Sequence, residues 1–154
     1  MSFLALFISL PTKASTGRMR VWRSVKALGC ATLRDGVYLL PDSADSAAVL
    51  GEVAAQAVDV GGSGEVYRLS GRDETQEVAL RALFDRGEEY VGIAEELKEL
   101  GRSLASLDGA AAARKLQPLV RRFEQVNRLD FFPGAAQRRA LSRLDALRDA
   151  TPRP

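Results

Sequence analysis

The sequence predicts an α+β protein: a ferredoxin-like βαββαβ sheet domain followed by a C-terminal helical segment that contains an antiparallel helical hairpin. Four short runs with strand character and two helical runs follow each other over the first 70 residues in the order β-α-β-β-α-β. From residue 73 onward the apolar period becomes helical. Two long apolar stripes separated by Asp108-Gly109 indicate two helices joined by a short turn, which favours an antiparallel hairpin.

The change of period also sets the predicted domain organisation. Residues 1–72 form the ferredoxin-like βαββαβ domain, and residues 73–150 form a helical extension packed on or beside the sheet. Residues 151–154 form a disordered tail. A chain of 154 residues is long enough to bury about two-thirds of its unfolded surface.

The predicted strand order follows from which runs are apolar on both faces. Residues 3–10 and 37–40 are apolar at nearly every position, as central strands are. Residues 31–34 and 65–70 alternate between apolar and polar side chains, as edge strands do. In the ferredoxin-like topology the first and third strands are central and the other two lie at the edges, so the pattern agrees with that topology.

Local signals place the turns and the helix ends. Gly29 ends a short basic helix, because glycine adopts the left-handed conformation without strain. Asp35-Gly36 between two apolar runs predicts a hairpin closed by a type I′ turn. Helices are predicted over 44–59, 73–86 and 111–129, along the heptad stripe from Ile93 to Leu107, and from Pro133 onward.

The short basic helix has two faces. A helical wheel puts four apolar side chains on one stripe, and we expect them, Trp22 among them, to pack in the core. Three basic side chains follow on the opposite face at i, i+3 and i+6. The apolar stripe is Val21, Trp22, Val25 and Leu28, and the basic face is Arg20, Arg23 and Lys26.

Charge is unevenly distributed along the chain. The first acidic residue is Asp35, and every charged side chain before it is basic. A stable surface does not require this excess, whereas a polyanionic partner would explain it. We predict that five of these residues bind DNA; the alternative is a solvated helix face. The five are Arg18, Arg20, Arg23, Lys26 and Arg34.

The helical half is divided by charge as well. Residues 85–99 carry a net charge of −4, and residues 114–154 carry a net charge of +6. One interpretation is an acidic helix that forms salt bridges with its basic hairpin partner. The other is that the basic helices extend the nucleic-acid surface.

Composition excludes several kinds of site. The chain has no histidine and one cysteine, which excludes a zinc site built on these residues, a Ser-His or Cys-His catalytic group and an internal disulfide. Residues 61–64 precede a strand and lack the Gly-Lys-Ser/Thr of a phosphate loop. Cys30 is interpreted as a small buried hydrophobe. We therefore expect no enzymatic activity, no metal and no other cofactor.

The apolar run at residues 3–10 is too short to cross a bilayer as a helix, and no basic region precedes it. We expect it to be a buried strand rather than a signal peptide. The expected protein is cytoplasmic and does not associate with a membrane.

Five segments carry a resemblance to a known family: Ser9–Thr12, Arg18–Arg23, Leu28-Gly29, Leu33–Pro41 and Asp130–Pro133. They resemble the N-terminal domain of the chromate-resistance protein ChrB family, and Leu33–Pro41 is the most specific of them. The resemblance implies a transcriptional regulator whose N-terminal domain binds the promoter of a chromate-resistance operon. It also implies a C-terminal domain linked to the chromate response, so we expect this chain to be the DNA-binding module without that domain.

Two alternative functions remain beside DNA binding. One is a small-oxyanion sensor that holds chromate or sulfate between Lys13, Arg18 and Arg34. The other is a structural domain that docks onto a separate partner protein. We also expect a homodimer built on the sheet or on the helical hairpin. A sheet with helices on one face leaves its other face apolar, and either the C-terminal helices or a second copy must cover it.

Overall fold

The computed structural model describes residues 1–13 and 15–151. The chain divides into two compact units, Met1–Phe84 and Asp85–Pro154. The first unit extends past the predicted boundary at residue 72, because Phe84 stacks its ring on that of Phe3 with the centroids 5.7 Å apart. Residues 152–154 of the predicted tail lie outside the described residues.

The first unit is a four-stranded antiparallel sheet with helices. Its strand order is β2-β3-β1-β4, which confirms the ferredoxin-like class and the predicted central and edge strands. The elements are β1 (Phe3–Ser9), α1 (Ser15–Ala27), β2 (Ala31–Arg34), β3 (Val37–Pro41), α2 (Ala44–Asp59), β4 (Ser63–Leu69) and α3 (Glu74–Ala82).

Helices α1 and α2 cover one face of this sheet. Alternate residues of a strand point to the same face, so Leu4 and Leu6 of β1 share one hydrophobic cluster with Val25 of α1 and Leu50 of α2. Leu6 and Leu50 are fully buried, and burying such a side chain contributes about 1.5–3 kcal/mol. This cluster fixes the position of α1 on the sheet.

The opposite face of the sheet is buried at one end and exposed at the other. Phe3, Ala5 and Leu39 are fully buried, whereas Phe7 and Tyr67 are 42% and 51% exposed. The rings of Phe7 and Tyr67 meet edge to face with centroids 5.3 Å apart. Because Tyr67 belongs to the edge strand β4, an exposed aromatic pair lies beside an edge of the sheet.

The β2–β3 hairpin exists, but its turn is not the predicted type I′. Gly36 has a φ of 79°, and no non-glycine residue in the described part of the chain has a positive φ, so Asp35 does not adopt the required conformation. A side chain makes that conformation costly, and the pairing register shifts between Thr32 and Arg34 instead. Gly36 is also needed for space, since a Cβ there would lie 2.7 Å from the carbonyl oxygen of Ile8.

The second unit is helical. Helix α4 ends earlier than the heptad stripe predicted, at Ser103 rather than near Leu107, because a 3₁₀ turn follows it directly. Asp108 then caps the next helix, with its carboxylate accepting the Ala111 N–H at 2.7 Å. The elements are α4 (Gly87–Ser103), the 3₁₀ turn (Leu104–Ser106), α5 (Gly109–Arg128) and α6 (Ala135–Ala150).

Helices α4 and α5 form the predicted antiparallel hairpin. Tyr90 near the start of α4 packs on Phe123 near the end of α5, with ring centroids 5.7 Å apart. At the other end, Ser103 of α4 and Lys115 of α5 line the same groove. Leu144 of α6 joins the same hydrophobic cluster, so the three helices share one core. Within residues 1–13 and 15–151, every helix is too short or too polar to cross a membrane.

Candidate nucleic-acid interface

Helix α1 presents a fixed face to solvent. Val21 and Val25 are buried against the sheet. The Ser24 hydroxyl lies 3.2 Å from the Arg20 carbonyl oxygen and 3.0 Å from Oε1 of Gln56 on α2. These contacts set the rotation of α1 about its axis, so the side opposite the two valines faces outward.

All five side chains predicted to bind DNA are exposed. Arg20, Arg23 and Lys26 lie on the outward side of α1, Arg18 lies in its first half, and Arg34 ends β2. Among residues 1–13 and 15–151, no carboxylate forms a salt bridge with any of them. Their positive charges are therefore not neutralised by those residues and are available to an anionic partner.

A groove of about 470 Å³ lies between α1, the end of β1 and the hairpin turn. Arg18, Met19 and Trp22 line it from the helix, and Asp35 and Gly36 line it from the turn. The two charged residues that line it, Arg18 and Asp35, have opposite signs. The groove therefore differs from the basic face of α1, which carries positive charge alone.

Trp22 lies in this groove and not in the core, contrary to the prediction. It is 44% exposed, and its ring lies 6.3 Å from that of the buried Tyr38. A residue adjacent to Val21 is turned by about 100° around the helix, which puts Trp22 at the margin of the buried stripe. Leu28 is half-buried. The helical wheel indicated this position, because Trp22 lies furthest from the centre of the apolar stripe. No sequence pattern indicated that Met19 and Asp35 would line the groove.

The three residues proposed for an oxyanion do not meet in this groove. Arg18 lines it, whereas Lys13 and Arg34 are exposed and are not among its lining residues. Asp35, which does line the groove, would repel a doubly charged anion. The pKa of Tyr38 is raised mainly by burial and to a lesser extent by the charge of Asp35, so its hydroxyl stays neutral at physiological pH.

Cys30 follows α1 and is half-buried against the hydrophobic cluster between the two helices α1 and α2 and the sheet. Burial raises the pKa of its thiol to about 12. Since the thiolate is the nucleophilic form, this cysteine is unreactive near neutral pH. Cys30 packs as a small hydrophobe, as predicted, but it is half-buried rather than buried.

Some of the arginines of the second unit form ion pairs with carboxylates of the same unit. Arg122 of α5 pairs with Glu96 of α4, and Arg148 of α6 lies 4.0 Å from Glu124 of α5. In the described part of the chain the Glu96–Arg122 pair is the one salt bridge that joins α4 to α5. The acidic and basic helices of the hairpin are therefore linked by charge at one point, and most basic residues of α5 are left out of that link.

Comparison with known proteins identifies the family. The family model described as "Protein ChrB, N-terminal" matches residues 18–151. The chain belongs to the ChrB family. Protein ChrB of Cupriavidus metallidurans is 40% identical over 139 residues, which are 90% of this chain and 43% of that protein. The chain thus spans less than half the length of this ChrB relative, and the resemblance to the chromate-resistance family is confirmed.

The segments that carry the resemblance to ChrB lie in both units. Leu33–Pro41 contains the hairpin turn beside the groove. Asp130–Pro133 connects α5 to α6, and Oδ2 of Asp130 accepts the Tyr90 hydroxyl at 2.8 Å. Oδ1 of the same carboxylate accepts the Phe132 N–H at 3.2 Å. A buried tyrosine therefore fixes the ChrB-like loop of the second unit.

Proposed function

We propose that this ChrB-family chain is the DNA-binding module of a transcriptional regulator of chromate resistance, with the promoter of a chromate-resistance operon as its target. The observation that carries the proposal is the basic face of α1, made by Arg20, Arg23 and Lys26. All three are exposed and have no salt bridge within the described residues. We also propose that the protein acts in the cytoplasm and catalyses no reaction.

Phosphate contact would explain an arrangement that is otherwise unfavourable. Like charges three or four positions apart on a helix cost a few tenths of a kcal/mol each, on the order of 0.2–0.5. A polyanion offsets that cost, because its phosphates neutralise the three charges, and each neutralised phosphate also releases condensed counterions. Contacts of this kind set the position of a protein on the duplex, whereas sequence is read by contacts to the base edges. The α1 face therefore accounts for affinity.

The test is DNA binding over a salt series with the variant Arg20→Gln/Arg23→Gln/Lys26→Gln. Three lost phosphate contacts should reduce the slope of log K against log salt by about 2 to 3 units, at roughly 0.9 per contact. The variant should fold as the parent does or slightly more stably, because the repulsion on α1 is gone.

The matched control removes three charges away from α1, through Arg72→Gln/Arg81→Gln/Lys98→Gln. All three side chains are exposed and have no salt bridge within the described residues, and the control should keep the parent slope. If the folded α1 variant has the parent's affinity and slope for promoter DNA, its basic face is a solvated helix surface and the proposal fails.

Of the alternatives, an oxyanion sensor has less support. Of Lys13, Arg18 and Arg34, the groove is lined by Arg18 alone, and Asp35 lines it too. Homodimer formation has more support, because Phe7 and Tyr67 form an exposed aromatic pair beside the edge strand β4. A second copy that packs on this face would bury the pair and cover the exposed apolar surface.

A further inference from the structure

Helix α5 carries three arginines in one line. Arg114, Arg121 and Arg128 follow at intervals of seven residues and are all exposed. Seven residues are almost two full turns of an α-helix, so each arginine drifts by only about 20° from the one before it. The line, called the α5 arginine stripe below, lies on the side of the helix opposite the buried Leu116 and Phe123.

The stripe is separate from the arginines that hold the bundle together. Arg122 pairs with Glu96, and Arg148 lies 4.0 Å from Glu124. Among residues 1–13 and 15–151, the three arginines of the stripe form no salt bridge. The helix therefore divides its arginines by position, with Arg122 engaged toward α4 and the stripe directed to solvent.

The surroundings of the stripe fit a phosphate backbone better than a protein surface. Protein-binding surfaces place aromatic and apolar side chains at their centre, but in residues 109–128 no large hydrophobic side chain is exposed. Beside the arginines the exposed face carries Gln117 and Gln125, whose amides donate hydrogen bonds, and Glu124, whose carboxylate lies 4.0 Å from Arg148 of α6. Arginine and glutamine side chains are common contacts to phosphate oxygens.

We propose that the α5 arginine stripe is a second contact to the DNA phosphate backbone, contributed by the second unit. The inference rests on the proposed function, since it takes the same duplex as its partner. Seven residues rise about 10.5 Å along a helix, so the stripe is about 21 Å long. That length corresponds to about six base-pair steps of 3.4 Å, enough for each arginine to reach a different phosphate. The stripe adds affinity and no choice of sequence.

The experiment compares three full-length variants with the parent on one promoter duplex over a salt series. Arg114→Gln/Arg121→Gln/Arg128→Gln should lower the slope of log K against log salt by about 2 to 3 units. When the salt concentration rises from 50 to 200 mM, the affinity of this variant for DNA should fall about 40-fold less than that of the parent. The variant Arg114→Lys/Arg121→Lys/Arg128→Lys keeps the charge and should keep the parent slope. The control Arg72→Gln/Arg81→Gln/Lys98→Gln should also keep it.

The outcomes separate this inference from the proposed function. Loss of slope in the glutamine variant, with the parent's melting temperature and rescue by lysine, supports the stripe as a phosphate contact. A parent slope in the glutamine variant, together with a reduced slope in the α1 variant, overturns the stripe and leaves the proposed function standing. If the parent does not bind the duplex, both fail. If the glutamine variant binds DNA as the parent does but no longer binds polyglutamate, the stripe contacts an acidic protein and the inference is overturned.

Discussion

Removing one oxygen atom from Tyr90 tests how the second unit holds its ChrB-like loop. Tyr90 is 1% exposed, and its hydroxyl donates to Oδ2 of Asp130 at 2.8 Å. Tyr90→Phe keeps the ring that packs on Phe123 and leaves the carboxylate oxygen without this donor. The change therefore isolates the hydrogen bond from the packing.

The magnitude follows from the burial of both partners. A buried acceptor left without its partner costs about 1–3 kcal/mol. Asp130 is half-buried and partly reached by solvent, so we expect Tyr90→Phe to cost about 1–2 kcal/mol. Tyr90→Ala also opens a cavity and should cost about 3–5 kcal/mol. The matched control is Tyr67→Phe, which removes the same atom from an exposed side chain bonded to Glu65 and should change stability by less than about 0.5 kcal/mol.

The pH dependence gives a second, independent readout. Burial and then the hydrogen bond to Asp130 raise the pKa of Tyr90 above its ordinary value, which is about 10. The folded protein keeps a proton that the unfolded chain loses above about pH 10, so this contribution to stability is present below that pH and is lost above it. The free energy of unfolding of the parent should therefore fall more steeply above pH 10 than that of Tyr90→Phe.

Urea unfolding followed by circular dichroism measures both effects. A Tyr90→Phe variant that matches the parent within about 0.5 kcal/mol at pH 7 and declines in parallel with it above pH 10 would show that the hydroxyl does not hold the loop.

Two further predictions concern Cys30 and the homodimer. Because the pKa of Cys30 is raised to about 12, a disulfide reagent at pH 8 should react with the folded protein at least about 100-fold more slowly than with the urea-unfolded chain; equal rates would show an accessible thiolate. Phe7→Ser/Tyr67→Ser should convert a dimer to a monomer in light scattering, whereas Val58→Ser, at an exposed position of α2, should not. A parent that is monomeric at high concentration contradicts the proposed dimer.

Strand order could be predicted because it depends on a property that is local along the chain. A run that is apolar on both faces is a central strand, and residues 3–10 and 37–40 read correctly in this way. The start of α2 was predictable for the same reason, since the Ser43 hydroxyl oxygen caps the helix by accepting a hydrogen bond from the Ser46 N–H at 3.0 Å. Such signals need no knowledge of distant residues.

The features that could not be predicted depend on what lies across the fold. Periodicity gave the direction of Trp22 from the helix axis, but it could not give the contact of its ring with that of Tyr38 on β3. Exposure of the α1 arginines was predictable, whereas freedom from salt bridges was not, because pairing joins residues as distant in sequence as Glu96 and Arg122. For the same reason net charge alone could not separate structural arginines from those free to bind a partner.

The central position of β1 has a consequence for synthesis of the chain. Phe3–Ser9 is synthesised before β4, which is its partner on one side, with Phe3 opposite Leu69. Pairing on that side must wait until the chain has grown past residue 69. During that interval the segment is an uncharged apolar run of high β-propensity, which is the kind that aggregates. A fragment that stops between β3 and β4 keeps that side of β1 open, and we expect it to be recovered in inclusion bodies.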